Sequence, residues 1–150
     1  MNILVAYYSV YGNTKQIAEA IAGVLETKGT VHLLSIDKLA EADFNQVDLV
    51  VMGCPTIAAN IPPTIQPVFS KLPQHLLHET PVAAFDTSLK WWPKRFTAAR
   101  RLAGKMSNLG GKVILPPMNF YVKGTEGPLL AGEIERAKAW AETILAQIKA

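Results

Sequence analysis

The chain has 150 residues, 49% of them apolar and 18% charged, which is enough to close one hydrophobic core without disulfides or metal ions. This composition excludes a disordered chain and a small disulfide-stapled fold, and we predict a single domain over residues 1–150. The net charge of +3 has a local origin, because residues 87–125 hold eight Lys or Arg and no acid, whereas residues 1–86 carry a net charge of −4.

Cysteine usage and the first residues bear on the cellular compartment. The only cysteine is Cys54, so no intramolecular disulfide can form and nothing favours an oxidising compartment. The first residues lack the basic region and cleavage site of a signal peptide, and no apolar run is long enough to span a membrane. We therefore expect a cytoplasmic protein without a membrane partner. His75 and His78 have no cysteine or carboxylate cluster near them in the sequence, so no metal site is predicted.

The first half of the chain alternates apolar runs with helical periodicity. Residues 3–8 form a continuous apolar run, typical of a strand covered on both faces. Apolar residues then recur every three or four positions over residues 14–28, which predicts an amphipathic helix. Residues 31–36 and 47–53 predict a second and a third strand, and a polar connection or a poor helix over 37–45 joins them.

The second half continues this alternation after a proline-rich loop. The elements predicted there are a helix over about 65–72, a strand over 81–85, a helix over 95–109, a strand over 112–115 and a last helix over about 130–149. Strands that alternate with helices pair in parallel and are covered on both faces. We therefore predict an α/β fold with a three-layer, doubly wound parallel sheet of five strands.

A ligand of such a sheet binds beyond the carboxyl ends of the strands. Four loops begin there in the predicted structure, at Ser9, Cys54, Asp86 and Pro116. We refer to residues 9–14 as the first loop, to residues 54–63 as the second loop and to the loop that begins at Asp86 as the third loop.

The first loop has the composition of a phosphate cradle. It reads Ser-Val-Tyr-Gly-Asn-Thr and leads directly into the first predicted helix. Hydroxyls, an amide, a glycine and the free N–H groups of a helix N-terminus suit a phosphate. Since no Lys or Arg lies inside it, the loop suits a permanently bound monoester better than a site that hydrolyses nucleotides. The alternative is a polar turn in which Asn13 or Thr14 caps the helix.

Other phosphate sites are disfavoured by missing residues. The sequence has no G-x-x-x-x-G-K-[ST] motif, and no G-x-G-x-x-G motif follows the first strand. A cysteine phosphatase would need an arginine six residues after its nucleophile, and Asn60 stands six residues after Cys54.

Three segments together resemble the FMN-binding loops of the flavodoxin family. They are Ile-Leu-Val-Ala-Tyr-Tyr-Ser-Val-Tyr-Gly-Asn-Thr at 3–14, Val-Val-Met-Gly-Cys-Pro-Thr at 50–56 and Ala-Phe-Asp-Thr at 84–87. The resemblance covers essentially the whole chain, and its length matches the short-chain type. It implies a flavodoxin-like sheet of strand order 2-1-3-4-5 and FMN as the cofactor.

The resemblance also implies a role for each loop. The residues that would hold the FMN phosphate are Ser9, Tyr11, Gly12, Asn13 and Thr14. The residues that would border one face of the isoalloxazine ring are Pro55, Thr56 and Ile57. The residues that would contact the pyrimidine edge, through backbone and side chains, are Asp86, Thr87 and Ser88.

The second loop departs from the family pattern. Flavodoxins usually place an aromatic residue there, and often a glycine whose peptide can turn toward the flavin, whereas residues 55–63 contain neither. Asn60 tolerates positive φ and could replace the glycine. Trp91 or Trp92 could stack on the ring from the third loop, and we include Trp91 among the predicted cofactor contacts.

The basic segment is a second departure, because electron-carrying flavodoxins are acidic near the flavin. Lys90, Lys94 and Arg95 lie close to the predicted ring edge. We expect an FMN-binding electron-transfer protein whose redox partner docks there through an acidic surface. The alternatives are an FMN-dependent quinone or NAD(P)H oxidoreductase, and a non-redox binding module with weak or no FMN binding. Nucleic acid is disfavoured, since no stacking aromatics beyond the tryptophan pair accompany the basic segment.

Overall fold

The computed structural model describes residues 1–149, and its central feature is a parallel sheet between two layers of helices. The strands are β1 (Asn2–Tyr7), β2 (Thr30–Ser35), β3 (Leu49–Pro55), β4 (Pro81–Leu89), β5 (Lys112–Val113) and β6 (Met118–Val122). The α-helices are α1 (Asn13–Leu25), α2 (Gln66–Ser70), α3 (Ala98–Asn108) and α4 (Glu133–Lys149), and 3₁₀ turns occupy Ile36–Glu41 and Lys94–Phe96. The strand order β2-β1-β3-β4-β5 confirms the predicted doubly wound fold, with β6 as an addition beside β4.

The sheet separates two apolar layers. Side chains of successive strand residues point to opposite faces, so Ile3 and Val5 pack with α1 and α4, while Leu4 and Ala6 pack with α3 and the 3₁₀ turn before β3. The strands β1 and β3 are buried on both faces, which explains their continuous apolar sequences.

The fifth strand, predicted over residues 112–115, is shortened to β5, and a sixth strand that was not predicted follows it as β6. Lys112 pairs with Pro81 at the start of β4, and Met118 pairs with Phe85 further along the same strand. Pro116 and Pro117 interrupt the ladder because proline has no N–H to donate. The predicted loop at Pro116 is therefore only a break between two strands.

The strand β6 also changes the description of the loop predicted to begin at Asp86. Because β6 pairs with β4 from Phe85 to Leu89, β4 is nine residues long and includes Asp86, Thr87 and Ser88. The third loop therefore begins at Lys90, and the three preceding polar residues occupy fixed positions in the sheet.

The chain reverses after β6 and returns beside it. The Lys123 N–H donates to the Pro128 carbonyl at 2.9 Å, and the Leu130 N–H donates to the Tyr121 carbonyl at 2.9 Å. The intervening turn, residues 124–127, lies beside the first loop. None of the helices within residues 1–149 has the length and apolar character needed to cross a membrane.

Candidate functional site

A cavity of about 260 Å³ lies at the carboxyl ends of β1, β3 and β4. A neighbouring hollow of about 230 Å³ shares Thr56, Ile57 and Thr125 with it and reaches Trp92. The residues that line the cavity are Ser9, Val10, Tyr11, Asn13, Thr14, Pro55, Thr56, Ile57, Thr87, Ser88, Leu89, Val122 and Thr125. It therefore occupies the sheet edge where ligands of doubly wound folds bind.

The first loop is assembled as a cradle at the start of α1. Gly12, directly before the helix, has φ of 91°, a conformation that glycine adopts readily. The Ser9 Oγ accepts hydrogen bonds from the Gly12 N–H at 3.0 Å and the Lys15 N–H at 3.3 Å. The N–H groups of Asn13 and Thr14, in the first turn of α1, have no intrahelical acceptor. They are therefore available to an anion at the cavity.

The turn at residues 124–127 closes one side of this cradle. The Asn13 Nδ2 donates to the Glu126 carbonyl at 3.2 Å. A Cβ on Gly127 would lie 2.7 Å from the Asn13 side-chain amide, so only glycine allows this approach. The approach brings Thr125 to the cavity, which sequence reasoning missed because β6 was not predicted.

The second loop forms a two-residue hairpin turn beside the cavity. Ile57 and Asn60 exchange both backbone hydrogen bonds, at 2.9 and 3.0 Å, and Ala58 and Ala59 form the turn with φ of 49° and 63°. Asn60, which tolerates positive φ, does not adopt it here, because a hairpin of this length places both positive φ values at its two central residues. The Asn60 Oδ1 instead accepts a hydrogen bond from the Ile61 N–H at 2.7 Å.

Asp86 lies behind the cavity wall. Its carboxylate is fully buried and accepts hydrogen bonds from the Thr56 hydroxyl at 2.8 Å, the Asn119 amide at 3.0 Å and the Ala99 N–H at 3.3 Å. Burial raises the pKa of this carboxyl, and the hydrogen bonds offset part of that rise. The neighbouring Thr87 and Ser88 line the cavity. The Asp86 carboxylate therefore contacts the cavity lining through the hydroxyls of Thr56 and Ser88, which donate to it at 2.8 and 3.3 Å.

Thr56 joins the second loop to α3. Its hydroxyl donates to Asp86 and accepts a hydrogen bond from the Ala98 N–H, the first of α3, at 2.8 Å. Thr56 itself lines both the cavity and the neighbouring hollow. The start of α3 is thus fixed against the site by a side chain of the second loop and a buried carboxylate.

The two tryptophans of the third loop occupy different environments. Their ring centroids are 5.7 Å apart, but Trp91 is 73% exposed, whereas Trp92 lines the hollow beside the cavity. The Trp92 indole N–H donates to the Phe96 carbonyl at 2.9 Å. The structure therefore brings Trp92 to the site, and stacking by Trp91 stays a prediction.

Cys54 and the histidines add no reactive group to the cavity lining. Cys54 is buried, and burial together with the adjacent Asp86 carboxylate raises the pKa of its thiol. The thiol therefore stays protonated and behaves as a small apolar side chain. Among residues 1–149, no three His, Cys, Asp or Glu side chains are grouped in a way that could hold a metal ion.

Residues 4–125 of the chain match the family model for the flavodoxin domain. The chain belongs to the flavodoxin family. No curated protein matches its sequence. Membership confirms the resemblance predicted from the three loop segments.

Solved structures share the flavodoxin fold at low sequence identity. A flavodoxin from the domain Archaea is 23% identical with a TM-score of 0.76, and the match covers 100% of both chains. Oxidised flavodoxin 2 from Bacillus cereus is 18% identical with a TM-score of 0.83, over 98% of this chain and 99% of that one. Rubredoxin oxygen:oxidoreductase from Desulfovibrio gigas is 21% identical with a TM-score of 0.73, over 99% of this chain but 36% of that one.

Membership in the flavodoxin family implies FMN as the cofactor, and the residues present fit this molecule. The first loop offers hydroxyls and free backbone N–H groups without a cation, a donor set that suits a phosphate monoester. Pro55, Ile57 and Leu89 give the rest of the cavity an apolar lining, as a flavin ring requires.

Proposed function

We propose that this flavodoxin-family protein is an FMN-binding electron carrier. The observation that supports the proposal is the uncharged cradle at the start of α1, continuous with an apolar cavity at the carboxyl ends of β1, β3 and β4. FMN supplies one- or two-electron chemistry when bound. The protein binds the phosphate, encloses the ring and sets the charge around it.

Each loop has a distinct task in this proposal. The groups that hold the phosphate are the hydroxyls of Ser9, Tyr11 and Thr14, the side chain of Asn13 and the backbone N–H groups of Asn13 and Thr14, with Gly12 shaping the loop. Pro55, Thr56 and Ile57 border one face of the ring. Thr87, Ser88 and the backbone of Asp86 contact its pyrimidine edge, and Trp91 or Trp92 covers the outer side.

Titration of the apoprotein with FMN tests the proposal. We expect quenching of flavin fluorescence with a dissociation constant in the micromolar range or tighter. Thr14→Val should weaken binding about tenfold or more, because it removes a hydroxyl of the cradle together with its hydrogen bond to the Thr87 hydroxyl at 2.8 Å. Thr143→Val is the matched control, since the Thr143 hydroxyl donates to the Ala139 carbonyl within α4. Failure to bind at millimolar FMN would favour the non-redox binding module.

We propose further that the redox partner docks beside the cavity through an acidic surface. Lys94 Nζ donates to the Lys90 carbonyl at 3.1 Å and lies 4.3 Å from the ring centroid of Tyr121, while the Arg95 guanidinium lies 4.9 Å from the ring centroid of Phe96. These contacts order the cations beside the tryptophan pair, in a segment that contains no acid. An acidic partner would be attracted to this face and steered toward the flavin edge.

The sign of the ionic-strength dependence tests this docking proposal. Oxidation of the reduced holoprotein by ferricyanide, an anion, should slow as salt is added, and oxidation by cationic tris(phenanthroline)cobalt(III) should accelerate. The dependence of both oxidation rates on salt should be weaker in the triple variant Lys90→Gln/Lys94→Gln/Arg95→Gln.

The matched control for that triple variant is Lys28→Gln/Lys71→Gln/Lys112→Gln. It removes the same charge away from the cavity, because Lys28 precedes β2, Lys112 begins β5 and Lys71 follows α2. Equal effects of the two triple variants would show that only net charge matters, and would contradict a docking role for Lys90, Lys94 and Arg95.

A further inference from the structure

The tip of the second loop is joined to α3 by the side chain of Arg101. Its Nε donates a hydrogen bond to the Ala59 carbonyl at 3.2 Å. The base of the same loop is joined to α3 as well, because the Ala98 N–H donates to the Thr56 hydroxyl. The helix α3 therefore holds the second loop at its base and at its tip.

The tip needs this support because of its backbone conformation. Ala58 and Ala59 both adopt the left-handed region, with φ of 49° and 63°. A Cβ disfavours that region, and turns of this type normally carry Asn-Gly or Gly-Gly. If either alanine relaxed to negative φ, the adjoining peptide planes would rotate and the Ala59 carbonyl would move away from Arg101.

We propose that Arg101 is a positioning residue that holds the Ala58–Ala59 turn in its left-handed conformation beside the cavity. Both alanines line the hollow that lies between the second loop and Trp92. The width of that hollow therefore depends on the turn, and the turn depends on a guanidinium that lies outside the cavity lining.

The neighbouring Arg100 provides a matched control. It is an exposed arginine of the same helix, but it lies beside Lys94, Arg95 and Thr97, on the other side of the start of α3. Arg100→Gln removes the same charge as Arg101→Gln and changes the same helix by the same side-chain substitution. Any effect specific to Arg101 therefore reports its contact with Ala59.

The first test uses NMR on the apoprotein. In Arg101→Gln, exchange of the Asn60 amide, which donates to the Ile57 carbonyl across the turn, should be about threefold faster than in the wild type. The intraresidue Hα–HN distances of Ala58 and Ala59, short only at positive φ, should lengthen on average. Arg100→Gln should change neither quantity. Equal behaviour of the two arginine variants would overturn the proposal.

A second background makes the test independent of general helix stability. Ala58→Asn/Ala59→Gly supplies the residues that favour this turn intrinsically, so the proposal expects Arg101→Gln to have a much smaller effect on Asn60 exchange there. An undiminished effect in that background would show that Arg101 does not act through strain in the turn, and would overturn the proposal.

The consequence for the flavin rests on the proposed function. Arg101→Gln should raise the dissociation constant for FMN about threefold, and adding Ala58→Asn/Ala59→Gly to this variant should restore the wild-type value. Loss of affinity without this rescue would contradict the inference. Failure of the wild type to bind FMN would instead overturn the proposed function, and the exchange measurements on the apoprotein would still decide the role of Arg101.

Discussion

The first and second loops border the same cavity but reach their conformations by different means. In the first loop a glycine occupies the position of positive φ, and the Ser9 hydroxyl bonds to backbone groups within six residues. In the second loop two alanines occupy such positions. The backbone of the first loop is held by contacts within the loop, and only its Asn13 and Thr14 side chains bond to distant residues, Glu126 and Thr87. In the second loop, contacts from α3 hold the base and the tip.

This difference separates the half of the site that binds phosphate from the half that borders the ring. The backbone of the first loop is closed by the Ser9 hydroxyl, so we expect its conformation to respond less to changes in α3. A loop held by α3 responds to changes in that helix and in Asp86, which joins Thr56 to the helix start. Substitutions in α3 and at Asp86 should therefore alter the ring side of the cavity more than the backbone of the first loop.

The largest expected effect comes from removing the carboxylate beneath the second loop. Asp86→Ala leaves the half-buried Asn119 amide, the Ala99 N–H and the Thr56 hydroxyl without their acceptor, so the free energy of unfolding should fall by about 3 kcal/mol or more. Urea denaturation measures the loss. Hydrogen exchange should increase in the second loop and at the start of α3, with little change in the first loop. Equal increases in both loops would contradict their independence.

The control for that variant is Glu19→Ala, which removes an exposed carboxylate from α1. Its effect on the free energy of unfolding should lie within about 0.5 kcal/mol. A large loss in this variant would mean that net charge, and not the buried hydrogen bonds of Asp86, controls stability.

A smaller effect is expected from disturbing the first loop. Gly12→Ala places a Cβ at φ of 91° and should lower the free energy of unfolding by about 1–2 kcal/mol, with weaker FMN binding. Gly23→Ala is the control, because Gly23 lies inside α1 with no atom near its absent Cβ. It should stabilise the protein by about 0.5–1 kcal/mol. Effects of the same sign in both variants would contradict the importance of the left-handed conformation.

The same difference explains how far the sequence could predict the site. The first loop was recognisable because glycine, hydroxyls and a helix start carry their own signal. The turn at Ala58 and Ala59 was missed because alanine carries no turn signal, and its conformation comes from the hairpin pairing and from Arg101. The burial of Asp86 was missed because the fourth strand was predicted to end at residue 85, which placed Asp86 in a loop, whereas β4 continues to Leu89 and pairs with β6.

The strands and long helices were predictable from their periodicity, with one omission. Pro116 and Pro117 suggested that the fifth strand had ended, whereas the chain resumes pairing with β4 two residues later. The sequence of Met118–Val122 carries the signal of a strand, because the apolar Phe120 and Val122 occupy alternate positions, and both are buried in the structure. Recognising it would have placed Leu89 and Thr125 beside the cavity.

The smallest expected effect is a pH dependence of the free energy of unfolding that comes from Asp86. Burial raises the pKa of Asp86 above its ordinary value of 3.8, so the folded protein binds this proton more readily than the unfolded chain does. As pH rises from about 4, Asp86 loses its proton first in the unfolded chain. The stability that protonated Asp86 contributes is then lost as the pH rises to and past the pKa of Asp86 in the folded protein. The free energy of unfolding of the wild type, relative to Asp86→Asn, should therefore fall with rising pH and then become constant.

Urea denaturation of both proteins between about pH 4 and pH 7 measures this difference. Gly12→Ala serves as the control, because the substitution involves no ionisable group, and its difference from the wild type should not vary with pH. If the difference between the wild type and Asp86→Asn rose with pH instead, the hydrogen bonds from Thr56, Asn119 and Ala99 would outweigh desolvation. The ionised form of Asp86 would then be the one that the folded protein stabilises. Its hydrogen bonds to Thr56 and to the start of α3 would hold the second loop more firmly at neutral pH than in acid.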